Sequence, residues 1–217
     1  ISLGPIWTRF VNGEAHPQRE DNAFRLLRIF GVALLLTLIL QLTLGAAVRH
    51  AGAALAIPDF PTSYGQWLPP VTVESLNAAM AQMPPEMINR TDYTPTLVLL
   101  HFVHRLGAVL VCLIAALVIG GIVHKAPRRP ELVAPTLALL VVLGLQIIFG
   151  IATVASSAYP EVATMHQFLG AMLLSIGVWL TARLFLITRY VPVEPAARAK
   201  QDRQPSTPLG TLKGQPA

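Results

Sequence analysis

The sequence is poor in charge and almost free of cysteine. Only 12% of its 217 residues are charged, and Cys112 is the single cysteine, so no disulfide can form within the chain. Hydrophobic residues make up 53%, and the mean hydropathy is +0.57. This composition is typical of a membrane protein, and we expect an all-α integral membrane fold.

Four apolar runs reach the ~20 residues that a helix needs to cross the hydrocarbon core of a bilayer. They cover about 29–49, 97–123, 132–155 and 162–187. The sequence therefore predicts a bundle of four transmembrane helices.

The basic residues are concentrated on one side of these predicted spans. Thirteen of the sixteen Lys and Arg lie in the N-terminal segment, in the connection between the second and third spans, or near the C-terminus. The two connections of the other side hold only Arg49 and Arg90. By the positive-inside rule, both termini face the cytoplasm. The net charge of +5 is thus a topology signal, and we expect no binding to nucleic acid.

The predicted domain plan follows from these spans. Residues 1–28 form a basic cytoplasmic linker, 29–190 form the four-span bundle, and 191–217 form a polar tail that we expect to be disordered. A long outer loop at 50–96 joins the first two spans, and Thr72 within it can cap a short helix.

Two stretches of the sequence repeat. The motif Q-x-x-x-G occurs at 41–45 in the first span and again at 146–150 in the third. The letters HRLGAVL at 104–110 resemble HQFLGAMLL at 166–174 in the fourth span. We therefore predict two duplicated helical hairpins, an architecture that often places sites at the interface of the repeats.

Two histidines near the starts of the second and fourth spans carry the candidate chemistry. Ionisable residues inside a span are costly, and they usually face the bundle interior and serve a function. His104 and His166 differ by only about 5 Å in depth, on spans that run in the same direction. We predict that they bind a haem iron as its two axial ligands. Zinc is disfavoured, because no cysteine or acidic residue lies near them in the spans to complete a tetrahedral set.

Three further side chains near this pair have open roles. Arg105 either pairs with a haem propionate or anchors the end of its span in the headgroups, and Arg49 has the same two interpretations. His101 is an accessory residue that hydrogen-bonds near the haem, lines a substrate pocket, or lies at the membrane interface.

Taken in order, these motifs resemble the haem A synthase family. The resemblance covers about residues 30–187 and rests on Q-x-x-x-G, AGAALAIPDFPTSYGQWLPP, HFVHRLGA, QIIFGIATV and the histidine that opens the last span. Members of that family are eight-span membrane proteins made of two four-helix halves. They oxidise the methyl group of haem O to the formyl group of haem A for the terminal oxidase. The resemblance implies an oxidoreductase in which His104 and His166 bind a cofactor haem b.

The resemblance also implies which half of such a protein this chain represents. In the family's substrate half, a glutamate implicated in the oxidation lies three residues before the ligand histidine, whereas here that position holds His101. The chain therefore resembles the C-terminal, cofactor half, and we expect the catalytic carboxylate in sequence outside it. A start at Ile1 and not at methionine agrees with a piece of a longer protein.

The implied surroundings are a bacterial inner membrane and its lipid. The implied substrate of the full enzyme is haem O, and the implied partners are haem O synthase and assembly factors of the terminal oxidase, with a homo-oligomer left open. Two alternatives stand beside this interpretation: a self-contained bis-histidine cytochrome b that transfers electrons, and a structural membrane subunit without a cofactor.

Overall fold

Four long helices dominate the fold. The structure, a computed structural model, describes residues 15–16, 22–88, 90–126, 129–189 and 191–192. Its α-helices are α1 (Asn22–His50), α2 (Val73–Ala81), α3 (Pro95–Lys125), α4 (Pro130–Ala155) and α5 (Pro160–Arg189), and a short 3₁₀ helix covers Pro85–Met87. All of the α-helices except the short α2 are long and apolar enough to cross a membrane. The predicted four-helix membrane bundle is therefore confirmed.

Helix α1 begins about two turns before the apolar run that predicted it. It starts at Asn22, whereas the prediction started at 29. The added turns have packing partners of their own: Leu27 is 3% exposed, and the guanidinium carbon of Arg28 lies 5.3 Å from the ring centre of Phe185. Packing thus extends the helix into sequence that hydropathy alone assigns to the linker.

A separate two-residue ladder involves the segments outside the bundle. Ala15–His16 (β1) pairs antiparallel with Val191–Pro192 (β2). The rest of the predicted tail at 193–217, and the linker at 1–14 and 17–21, lie outside the described residues. Their assignment as a cytoplasmic linker and a disordered tail stays a prediction.

Helix α1 packs against both α3 and α5, and at four of these contacts the partner helix presents a glycine. A Cβ built on any of these glycines would lie 2.1–3.1 Å from an α1 side chain, so a larger residue would force that side chain to move. The pairs are Gly107 with Gln41, Gly121 with Leu27, Gly170 with Leu42, and Gly177 with Leu38. Because the partner numbers fall along α1 as they rise along α3 and α5, α1 runs antiparallel to both helices.

The connection between α1 and α3 folds over one end of the bundle, which we call the loop end. Its core is made of loop residues together with the adjoining ends of the two helices. These buried residues are Val48, Ala53, Ala56, Ile57, Tyr64, Leu76, Ala79, Tyr93 and Val98. Thr72 caps α2 as predicted, since its hydroxyl accepts a hydrogen bond from the Ser75 N–H at 3.1 Å. The buried face of α2 thus closes the loop core.

Candidate functional site

His104 lies on α3 against a glycine of α1. A Cβ on Gly45 would come within 3.1 Å of the imidazole Cε1, so the missing side chain makes room for the ring. One turn earlier on α1, the Gln41 Nε2 donates to the His104 backbone oxygen at 2.9 Å and lies 3.1 Å from its Nδ1. The ring is half-buried.

His166 repeats this arrangement on α5. A Cβ on Gly150 of α4 would come within 3.0 Å of its Cε1, and its Nδ1 lies 3.1 Å from the backbone oxygen of Gln146. The Q-x-x-x-G motif thus has one physical meaning in both hairpins. Its glycine receives an imidazole, in what we call a glycine cradle, and its glutamine position contacts Nδ1. The sequence analysis found the repeat but did not predict these contacts. The repeated glutamine and glycine were the signal that could have indicated them.

The structure brings the two histidines to one level of the bundle. His104 faces Gly45 of α1. Gly170, one turn after His166 on α5, packs against Leu42. Because α1 and α5 are antiparallel, His166 itself comes level with the turn of α1 beyond Leu42, where Gly45 lies.

His101 is buried, with 5% of its surface exposed, and it faces the loop. Its Nδ1 lies 3.3 Å from the backbone nitrogen of Ile57, and its Nε2 lies 3.3 Å from the Nε of Arg105. Both neighbours are N–H donors, whereas a neutral imidazole accepts at one nitrogen only. The ring can therefore make one full hydrogen bond at a time, either to the loop or to the guanidinium.

Arg105 is held by backbone carbonyl groups of the loop. Its Nη1 donates to the oxygens of Asp59 at 2.8 Å and Thr62 at 3.0 Å, and its Nη2 donates to that of Ile57 at 3.1 Å. With Nε directed at His101, four of the five guanidinium N–H groups are used. One N–H on Nη2 remains for the propionate contact, which stays a prediction.

The loop segment that receives this guanidinium is shaped by Asp59. Its carboxylate accepts hydrogen bonds from the Tyr64 N–H at 2.6 Å, the Gly65 N–H at 2.9 Å and the Thr62 hydroxyl. Burial alone would raise the pKa of Asp59, but these bonds to the charged form together lower it below its ordinary value. The Tyr64 hydroxyl donates to the Ala56 oxygen at 2.6 Å, and burial raises the pKa of Tyr64 to about 12.

Arg49 lies at the same end of the bundle, where its Nη1 donates to the Gln167 Oε1 of α5. Its predicted contact with a cofactor also stays a prediction. Within the described ranges, no three His, Cys, Asp or Glu side chains lie together as a metal site. A haem iron needs fewer protein ligands than a free metal ion, because the porphyrin supplies four and the protein only the axial ones. Two imidazoles at one level, each in a glycine cradle, fit that requirement.

The fold and the site together define a class: helical membrane proteins with a histidine pair inside a four-span bundle. The COX15-CtaA family model, described as cytochrome oxidase assembly protein, matches residues 3–178. The chain belongs to this family, and the resemblance seen in its motifs is confirmed.

Curated proteins similar to the chain include two haem A synthases of Rickettsia. The chain is 30% identical to that of Rickettsia prowazekii (strain Madrid E) over 156 residues, which are 71% of this chain and 42% of that protein. It is 30% identical to that of Rickettsia bellii (strain RML369-C) over 152 residues, which are 70% and 41% of the two chains. The chain thus spans about two-fifths of the length of the curated relatives it matches. No solved structure is significantly similar.

Proposed function

We propose that this chain is the C-terminal, haem-binding half of a haem A synthase, an oxidoreductase that converts the methyl group of haem O to the formyl group of haem A for the terminal oxidase. The observation that carries the proposal is the pair of His104 and His166, which lie at one level in repeated glycine cradles. Membership of the family and the similarity to haem A synthases, of which the match covers less than half, support it.

In this proposal His104 and His166 are the two residues that would hold the iron of a haem b. The haem, when bound, supplies one-electron redox chemistry. The chain supplies the positioning: the glycine cradles seat the two rings, and the contacts of each Nδ1 fix their rotation. The guanidinium groups of Arg49 and Arg105 are the cations available to propionates at the loop end, and Arg105 has one N–H free for this contact. The folded loop covers that end of the bundle and excludes water from it.

His101 serves as an accessory positioning residue, and the carboxylate that acts on haem O lies in sequence outside this chain. The His101 ring contacts Arg105 and the loop, so His101 acts on the site through these two neighbours. In a full-length protein, His101→Ala should retain the haem, shift its midpoint potential and reduce haem A formation without abolishing it. Complete loss of haem A with an unaltered spectrum and potential would mean that His101 acts on the substrate directly.

The protein's setting in this proposal is a bacterial inner membrane, with the loop end outside and both termini in the cytoplasm. Haem O synthase and terminal-oxidase assembly factors are its partners. In a background without Cys112, single cysteines at Gln66 and at Lys125, both exposed, should react with an impermeant reagent from opposite sides. Labelling of both from one side would contradict this topology.

The experiment that tests the haem site compares His104→Ala and His166→Ala with His124→Ala, an exposed histidine on α3. The reduced-minus-oxidised spectrum of the purified protein should show low-spin b-type bands, because two imidazoles ligate the iron. Both site variants should lose these bands, and His124→Ala should keep them. Unchanged bands in both site variants would overturn the assignment.

A further inference from the structure

The two proposed ligands are held with their protons on opposite ring nitrogens. The Nδ1 of His166 faces the backbone oxygen of Gln146, which can only accept, so this Nδ1 carries the proton and Nε2 is bare. The Nδ1 of His104 faces the amide nitrogen of Gln41, which can only donate. This Nδ1 is therefore bare, and the proton of the neutral ring is on Nε2.

The orientation of the Gln41 amide follows from its second contact. Its Nε2 lies 2.9 Å from the backbone oxygen of His104, where an amide oxygen would meet a second acceptor and be repelled. The two N–H groups of this amide thus point at the carbonyl oxygen and at Nδ1. Its Oε1 is buried without a hydrogen-bond partner among the residues that the structure describes. An unpaired buried acceptor is costly, so this amide has a reason to turn when a donor appears.

We propose that Gln41 is a positioning residue that controls His104 as a haem ligand by setting its tautomer. A metal-binding histidine coordinates through a bare nitrogen and donates the N–H of the other to an acceptor. His166 already has this form. His104 reaches it when its proton passes from Nε2 to Nδ1 and the Gln41 amide turns to present Oε1. The count of protons is unchanged, and Oε1 gains a partner. In exchange, the amide gives up its hydrogen bond to the His104 backbone oxygen, and Oε1 must move away from that oxygen as it approaches Nδ1. This inference rests on the proposed haem site.

Gln146, the repeat counterpart of Gln41, provides a matched control. Its side chain packs against Gly170 of α5, as that of Gln41 packs against Gly107 of α3. The contact with His166, however, comes from the backbone oxygen of Gln146, which a substitution retains. Methionine is unbranched and adaptable, so it removes the amide at either position with a similar change in packing. A difference between the two variants therefore isolates the amide contact to His104.

The test uses the full-length membrane protein and the haem whose absorption bands depend on His104. Two quantities are measured for this haem: its midpoint potential, by redox titration, and the fraction of it that stays bound during purification. Gln41→Met leaves the Nδ1–H of a ligating His104 without an acceptor and makes the ligand less basic. We expect a higher midpoint potential and haem binding weakened by about 10-fold or more. Gln146→Met retains the backbone oxygen that contacts His166, so its effect on both measurements should be much smaller than that of Gln41→Met. Gln41→Glu supplies an acceptor, so it should lower the potential, and it provides a reading if Gln41→Met fails to retain haem.

Two results would overturn the role of Gln41. One is an equal potential and retention in Gln41→Met and Gln146→Met, and the other is a potential in Gln41→Glu at or above that of the wild type. Failure of the haem site itself looks different, because the bands would then survive His104→Ala. If the absorption bands require His104 but neither the potential nor the retention depends on Gln41, the role of Gln41 is wrong and the proposed haem site still stands.

Discussion

The two hairpins of the bundle seat a histidine in the same way but are closed differently at the loop end. Residues 51–94 join α1 to α3 and fold onto Arg105, whereas a short turn at 156–159 joins α4 to α5. Ser157 and Ala158 in that turn adopt positive φ angles of 56° and 59°. The comparison separates two requirements: a glycine opposite the ring is needed in both hairpins, and the folded loop is an addition to one.

The side chains around the histidines follow the same division. When His104 is aligned with His166, His101 and Arg105 of α3 correspond to Ala163 and Gln167 of α5. The α3 side chains contact the loop, and the Gln167 amide instead accepts from an arginine of α1. The hairpins thus differ most at the positions that face the loop end, and this is where we expect their roles to differ.

The largest effect should come from filling the glycine cradles that the hairpins share. A Cβ alone would lie 3.1 Å from the ring at Gly45 and 3.0 Å at Gly150, so a leucine side chain would occupy the place of the imidazole. We expect Gly45→Leu and Gly150→Leu each to abolish haem binding, measured as haem content of the purified protein. Gly144→Leu, where a Cβ meets nothing within 4 Å, should retain the haem. A normal haem content in either cradle variant would show that the two hairpins are not equivalent at the ring.

A smaller effect, confined to the first hairpin, is expected from Arg105→Ala. Hydrogen bonds to a charged group contribute about 1.5–3 kcal/mol each, and three carbonyl bonds are lost, so the loop should be destabilised by about 4.5 kcal/mol or more. Hydrogen exchange of the amides at 56–65 should accelerate accordingly. Arg105→Lys keeps the charge but loses the planar arrangement of guanidinium N–H donors, so it should restore little of the loop's stability. Gln167→Ala is the control, and equal loop exchange in both would contradict the anchoring role.

Acid should loosen the same loop through Asp59. Because the pKa of Asp59 is lower in the folded loop than its ordinary value, its stabilisation is complete above that ordinary value, about 4. It is lost as the pH falls further, through the folded pKa. Protection of the 56–65 amides, corrected for intrinsic exchange, should therefore fall below about pH 4 in the wild type. Asp59→Asn should show weak protection at all pH values, and an unchanged acid response in this variant would exclude Asp59 as its source.

The smallest effect should come from the cap of α2. Thr72→Ala removes the hydroxyl that accepts from Ser75, which typically costs about 1 kcal/mol, and exchange in the first turn of α2 should rise. Thr94→Ala should cost less, because its hydroxyl accepts from Leu97 only at 3.4 Å. The haem bands should not change in either variant. A shifted spectrum in Thr72→Ala would show that the loop is coupled to the haem site more widely than through Arg105.

The sequence predicted the spans well because apolar length is a local property. The ends of α3 and α4 lie within about two residues of their predicted positions. The start of α1 was missed because Leu27 is fixed by Gly121 on another helix, a contact that no local window contains. The histidine pair was visible because ionisable residues stand out in apolar spans.

The environment of the site was less accessible to sequence reasoning. For Arg105 the sequence suggested a haem propionate or the headgroups as partner. The structure adds backbone oxygens of the loop, which every residue carries and no motif reveals. In the sequence, Gln41 and Gln146 occupy the same position of the repeated motif and cannot be distinguished. One contacts its histidine through the side chain and the other through the backbone, and this difference arises only from the packing of the helices.

The position of α1 between α3 and α5 has a consequence for the order of assembly. Domains are synthesised from the N-terminus, so the first span enters the membrane well before the last. Half of the glycine contacts of α1 are made by α5, and they stay unmade until that final span arrives. His166 arrives with it, in the second turn of α5. Helix α1 therefore lacks part of its packing until α5 is inserted, and the two histidines can come together only after all four helices of this bundle are in place.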